Sequence, residues 1–301
     1  MRRYISIFLY AFLLSSCEQS DQPKVTLVIP LQHLAMNDIQ EGFVSSLKSS
    51  HPDCHVDVCN AMGDPTLMQS ILRTAASQNV DYVATIGVSL TTAAQKICPE
   101  QKIIGVAAYK ELADDRTYVV EDEVGVESLH DSLRTILPEV KKVTLIHAQD
   151  DKILKEVKAF EVKALSSGLD VQILPVLNAN DLQTVCLHIQ GEAVLILKDH
   201  TVVSGLQVVL NHTKKLNIPL VCSDEGSVRY GAAYAFAVSE RDVGSQSGEV
   251  VAKLISQQKV SNVTKIKPMF IVNDQTPQFL INRMSQQKDT TIHMVERIEK
   301  D

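Results

Sequence analysis

The sequence predicts an α/β protein of two similar lobes, each a parallel sheet covered by helices on both faces. Three observations point there. Short β-branched runs alternate with segments whose apolar residues recur every three or four positions. That rhythm runs through twice, in sets of similar size. Between the sets, residues 113–123 form an acidic, non-helical stretch that a single continuous sheet does not explain.

In the first set, residues 24–31 are an apolar run without alternation, as in a strand buried on both faces. Met36, Ile39, Phe43 and Leu47 then recur at helical spacing. Residues 55–60 are the next strand. Asp64-Pro65 opens a helix with an acidic cap and proline at its first position, lined by Met68, Ile71, Leu72 and Ala75. A strand at 81–86 meets Gly87, a helix runs through 91–97, and a strand follows at 102–107. In the second set a helix at 126–137 precedes a strand at 142–147. Helix 151–166 follows, with Ile153, Leu154, Val157 and Leu165 as core candidates and Gly168 at its end. Strand 171–176, helix 181–189, strand 193–197, helix 201–216 and strand 218–222 complete the set.

The amino terminus reads differently. Met1-Arg2-Arg3 is a basic start, followed by an apolar run from residue 4 to 14. That run is too short for a membrane span, which needs about 20 residues, and suits a secretory signal. It ends in Leu14-Ser15-Ser16-Cys17, which resembles the lipobox of bacterial lipoproteins. The expected organisation is a signal peptide over 1–16 and a lipidated tether over 17–23. The bilayer would be a partner through Cys17, with the protein exported and anchored on the periplasmic side of a bacterial membrane.

Composition excludes several classes. Asp and Glu number 36 against 29 Lys and Arg, with no basic block, so nucleic acid is not an expected partner. No His or Cys pair has metal-ligand spacing, and no metal or cofactor is expected. Cys54 and Cys59 are close enough to be bridged in an oxidising compartment, although Cys59 lies in a strand-like run. Cys98, Cys186 and Cys222 read as core residues. In an α/β sheet, ligands bind at the carboxyl ends of the strands. Here those ends carry Gln32-His33, Gly87-Val88-Ser89, Ala107-Ala108-Tyr109, His147-Ala148, Lys198-Asp199 and Ser223-Asp224. They hold no catalytic set, and the nucleophile-elbow, phosphate-loop, zinc-protease and dinucleotide patterns are missing, so an enzyme is not expected.

Several of these segments resemble the motifs of a family of ABC-transporter substrate-binding lipoproteins. Residues 32–43, Gln-His-Leu-Ala-Met-Asn-Asp-Ile-Gln-Glu-Gly-Phe, are similar to its E-H-P-A-L-D-x-x-x-x-G-F. Asn60-Ala61-Met62-Gly63-Asp64 resembles N-A-x-G-D, and residues 81–87 resemble D-x-I-x-x-I-G. Asp199-His200-Thr201-Val202-Val203-Ser204 is similar to D-N-T-V-V-S. Residues 223–232 resemble S-D-x-x-S-V-x-x-G-A, and residues 242–248 resemble D-x-G-x-Q-x-G. The motifs keep their order from about residue 25 to 258.

The resemblance implies the type I periplasmic-binding fold: two Rossmann-like lobes joined by a three-segment hinge and closing on a ligand. Lobe one would hold 24–115 plus 240–266, and lobe two 120–235 plus 270–301. The crossings would fall near 117–123, 235–239 and 269–273. It also implies capture of a small solute, an aromatic amino acid by analogy, for delivery to ABC permease and ATPase subunits. The sequence departs from the pattern at Leu34, Val88-Ser89, Tyr109-Lys110 and Glu225-Gly226, all positions that would border the cleft.

An amino acid needs N–H donors for its carboxylate and a carboxylate for its ammonium. Ser89, at the opening of a helix, is a candidate for the first, and also reads as an N-cap serving its own helix. Asp199 and Asp224 are candidates for the second, and also read as caps. Gln32 and His33 are candidate cleft donors, and Tyr109 a candidate aromatic wall. Loss of Asp224 would then abolish binding and leave apo stability nearly unchanged. Two other readings fit the same fold: a ligand-sensing lipoprotein signalling to a membrane partner, and capture of a sugar, which the absence of Trp disfavours.

Overall fold

The computed structural model describes residues 22–78 and 80–298; the expected signal peptide and Cys17 lie outside them. The first lobe starts with β1 (Lys24–Ile29), α1 (Leu34–Ser50), β2 (His55–Asn60), α2 (Pro65–Ser77), β3 (Tyr82–Ile86), α3 (Val88–Ile97), β4 (Lys102–Val106) and β5 (Thr117–Glu121). The second continues with α4 (Val126–Ile136), β6 (Lys142–Ala148), α5 (Asp151–Ser166), β7 (Asp170–Val176), α6 (Leu182–Val185) and β8 (Ala193–Ile196). Then come α7 (His200–Ser204), α8 (Leu206–Leu216), β9 (Leu220–Cys222), α9 (Glu225–Arg229) and β10 (Tyr234–Ala237). The chain returns to the first lobe for α10 (Glu240–Ile255) and β11 (Val263–Lys265). It ends in the second with β12 (Met269–Val272), α11 (Gln278–Ser285) and β13 (Ile292–Met294).

The first sheet has the order β11-β5-β4-β3-β1-β2 and is parallel throughout. The second has the order β13-β12-β10-β9-β8-β6-β7, with only the β10–β12 pair antiparallel. Three segments pass between the sheets: 122–125, 238–239 and 266–268. Each sheet is covered by helices, and its strands read as near-continuous buried runs, as parallel sheets require.

The stretch at 113–123 is not irregular throughout. The Asp114 carboxylate accepts from the backbone N–H of Arg116 and Thr117 (3.0 and 2.7 Å), making a turn that launches the β-branched β5. The first sheet therefore extends to Glu121, beyond the limit of 115 expected for lobe one. The crossings lie beside the expected positions, because 235–237 and 269–272 are strands of the second sheet. Strand β1 ends at Ile29, before Pro30, which has no N–H for a ladder. The single helix expected at 201–216 is two, broken at Gly205, where a Cβ would come within 2.5 Å of Leu182. The helix expected at 181–189 is a four-residue α6 between two 3₁₀ turns.

On α5 the buried stripe is Ile153, Val157, Phe160 and Ala164. Leu154 and Leu165 each sit one position off it and are 41% and 79% exposed, not core. Cys98, Cys186 and Cys222 are buried. Cys54 and Cys59 are free thiols, and Cys54 donates to the Pro23 carbonyl at 3.3 Å.

Lobe one is welded by α1 against α10. A Cβ on Gly42 would lie 2.2 Å from the Arg241 carbonyl oxygen. On Gly244 and Gly248 it would lie 1.9 and 2.4 Å from the carbonyl oxygens of Ile39 and Phe43. Only glycine allows the two helix backbones to approach this closely. Three glycines of the motifs at 32–43 and 242–248 are therefore packing residues.

Candidate functional site: the cleft between the lobes

The carboxyl ends of the two sheets face each other, and side chains reach across. Arg229 Nη2 on α9 donates to Asp38 Oδ2 on α1 at 2.8 Å. The Lys152 ammonium on α5 lies 4.6 Å from the centre of the Tyr109 ring and pairs with Glu123 in the first crossing. Lys198, just after β8, pairs with Asp122 in that crossing and lies 3.7 Å from Glu240 at the head of α10. The strand ends at which α/β sheets take ligands thus form one cleft.

The two walls differ in how their helices begin. In lobe two each cleft helix is capped by an aspartate. Asp150 accepts from the N–H groups of Lys152 and Ile153, both at 3.0 Å. Asp199 Oδ1 accepts from Thr201 and Val202 (2.9 and 3.2 Å), while Oδ2 accepts from Ala148 N–H across the sheet (2.5 Å). Asp224 accepts from both the N–H and the hydroxyl of Ser227 (2.7 and 2.8 Å). In lobe one, α1 begins after His33 and α3 after Gly87, and neither receives a side-chain cap. Their first N–H groups and positive dipole ends remain on offer. Asp64 caps only α2.

The six sequence candidates fall unevenly on this frame. Gln32 is exposed at the rim, bonded to Asn37 and accepting from Asn60 at 3.3 Å. His33 faces His200 of lobe two; the surrounding protein, and then His200, hold its imidazole below the ordinary value. Tyr109 is half-buried, and one ring face is covered by Lys152. Burial alone would lower the Lys152 ammonium, but Glu123, Tyr109 and Glu156 together raise it.

Asp199 and Asp224 are caps, as one of the two readings of each expected. Asp199 spends both oxygens on backbone N–H groups. A cap of this kind is worth about 1 kcal/mol, so loss of Asp224 is now expected to lower apo stability, where the sequence reading expected little change. Burial raises the Asp224 carboxyl above its usual range, with Ser227 and Lys198 working the other way. Ser89 does not cap α3; Gly87 holds that place. It is exposed in a shallow groove of about 400 Å³ with Gln69 and Arg73 of α2. No hydrogen bond or ion pair among the described residues joins it to the other five.

Sequence reasoning missed the charges that join the lobes: Asp38, Asp122, Lys152, Lys198, Arg229 and Glu240. Lys198 and Arg229 stand inside or beside the quoted motifs, so a cation at a strand end was a visible signal. Their partners lie 76 and 191 residues away, across the cleft.

Comparison with known proteins agrees with this architecture. The family model described as ABC transporter substrate binding protein matches residues 24–301. An uncharacterized protein of Rickettsia prowazekii is 26% identical over 250 residues, 82% of this chain and 81% of its own. A tyrosine-binding protein of Clostridioides difficile is 20% identical over 266 residues, 82% of this chain and 77% of its own. The ligand-free, open structure of a substrate binding protein with adhesive properties from Clostridium difficile superposes with a TM-score of 0.76. It is 20% identical, over 92% of this chain and 100% of the other. A domain from Streptococcus pneumoniae in complex with L-Trp gives a TM-score of 0.71 at 16% identity, over 91% and 100%. The fold is that of the type I periplasmic-binding proteins, and the chain belongs to the ABC transporter substrate binding protein family.

Proposed function

We propose that this protein captures a free amino acid, aromatic in side chain, and delivers it to the permease and ATPase of an ABC importer. The observation that carries the reading is the asymmetry of the cleft. Lobe one presents uncapped helix starts, which suit a carboxylate; lobe two presents aspartates, which suit an ammonium. A zwitterion placed between them is complementary to both walls at once and rewards closure. The tyrosine-binding relative and the L-Trp complex support the aromatic class.

In this reading the carboxylate lies against the head of α1, with His33 and Gln32 beside it. Asp224 faces the ammonium, and the free side of Tyr109 meets the side chain. Asp199 acts through the backbone that it holds, and Ser89 lends only its N–H at the head of α3. The protein is extracytoplasmic and held to the bilayer through Cys17. No helix among the described residues is long and apolar enough to cross a membrane.

Native mass spectrometry of residues 18–301 would weigh a co-purified solute. Thermal shift against the twenty amino acids is the second arm: a ligand at 100 times its Kd adds about 2.7 kcal/mol of stability. Failure of every amino acid to raise the melting temperature overturns the reading.

A further inference from the structure

Glu240 joins two chains of polar contacts that run between the lobes. The first goes from Lys198 at the end of β8 to Asp122 in the first crossing, and to Glu240 Oε1 at 3.7 Å. The second goes from Asp38 to Arg229 Nη2 (2.8 Å), from Arg229 to Glu225 Oε1 (2.6 Å), and from Glu225 Oε2 to the Glu240 backbone N–H (3.1 Å). Glu240 directly follows the second crossing, so both chains end where one lobe turns on the other.

The charges around it do not balance. Asp38, Asp122, Asp224, Glu225 and Glu240 share two cations, Lys198 and Arg229, while Arg241, already paired with Glu41, reaches only Asp38 among them. Glu225, Asp224 and Glu240 are only 2%, 8% and 9% exposed. Excess negative charge in such a place costs desolvation and mutual repulsion, and one bound proton relieves both. Among the five, Glu240 is worst served. Asp122 touches Lys198 directly, Asp38 and Glu225 share Arg229, and Asp224 has two donors from Ser227. Glu240 has Lys198 alone, beyond hydrogen-bond range, and faces Asp122, Asp224 and Glu225.

We propose that Glu240 and Lys198 are a proton-linked positioning pair for solute capture. When Glu240 holds a proton, the buried cluster carries one charge fewer, Lys198 serves Asp122, and the head of α10 stays docked at the second crossing. When Glu240 loses it, its carboxylate faces Asp122, Asp224 and Glu225 with Lys198 alone to offset them, and the second crossing loosens. Burial pushes the Glu240 carboxyl up, Lys198 opposes this, and Asp122, Glu225 and Asp224 add to it, leaving it at about 7. The inference rests on the solute-capture reading of the cleft, not on which solute binds.

The test is hydrogen exchange of segment 238–243 in the purified, ligand-free protein from about pH 5 to about pH 8.5, corrected for intrinsic rates. Protection is expected to fall roughly tenfold or more between pH 5 and 7 and to level off above, since each pKa unit by which the docked hinge holds the proton more tightly than the opened one is a factor of ten. Glu240→Gln should abolish the step, Lys198→Met should move it to higher pH, and Lys198→Arg should leave it in place. Equal protection across the range in the wild type, or an unchanged step in Glu240→Gln, overturns the proposal. In a parallel arm, L-tryptophan affinity should weaken across the same interval. If L-tryptophan fails to bind at every pH while the exchange step persists, the aromatic amino-acid reading fails and the positioning pair stands.

Discussion

Lobe one and lobe two repeat one βα plan, yet they start their cleft helices in opposite ways. Lobe two closes each start with a carboxylate: Asp150, Asp199 and Asp224. Lobe one leaves α1 and α3 open, with His33 and Gly87 where caps would be. An uncapped helix start gives up about 1 kcal/mol of stability. That it is left so twice, on the same wall, is what the proposed seat for the ligand carboxylate requires. Lobe one recovers its rigidity elsewhere, in the glycine crossing of α1 and α10.

The largest test of this contrast removes that rigidity. Gly244→Val drives a side chain into the Ile39 carbonyl and should cost about 4 kcal/mol or more in chemical denaturation, above the usual range for overpacking. The same kind of substitution at the exposed Gly168 of lobe two has open space and should cost far less, through its positive φ alone.

Next comes the hinge carboxyl. Its folded value of about 7 exceeds the ordinary 4.5, so this group makes the protein less stable as pH rises between those two values. The loss is on the order of 3 kcal/mol by pH 7.5, and a stability–pH curve of Glu240→Gln should lack it. An identical slope in both proteins would assign the titration to another group.

Asp199→Ala should then cost about 2 kcal/mol, from a lost cap and an unpaired Ala148 N–H, with or without ligand present. The smallest effect sharpens the contrast most. His33→Asp transfers the device of lobe two to lobe one. It should stabilise the apo protein by about 1 kcal/mol while weakening amino-acid binding tenfold or more, through repulsion of the ligand carboxylate. Stabilisation without loss of binding would show that the anion does not sit at α1.

Much of the fold was legible because its signals are local. Asp64-Pro65 announced α2 within one residue, and the unalternating run at β1 announced a sheet covered on both sides. The break at Gly205 and the turn at Asp114 went unread because each acts through a neighbour that sequence does not display: Leu182 against the first, and the N–H groups of a turn for the second. The site was legible by position only. Strand ends located Asp199 and Asp224 at the cleft, but whether a carboxylate faces a ligand or its own backbone depends on a single torsion. The pairing of Arg229 with Asp38 spans 191 residues and left no periodic trace.

The threefold exchange of chain between the halves has a bearing on biogenesis. Helix α10 and strand β11 complete the first half from residues 240–265, and β12, α11 and β13 complete the second from 269 onward. Neither half can finish its interior while the last fifth of the polypeptide is still being made. A translocating chain of this design stays incompletely folded until synthesis is nearly over, the condition under which it can be threaded through a narrow export channel.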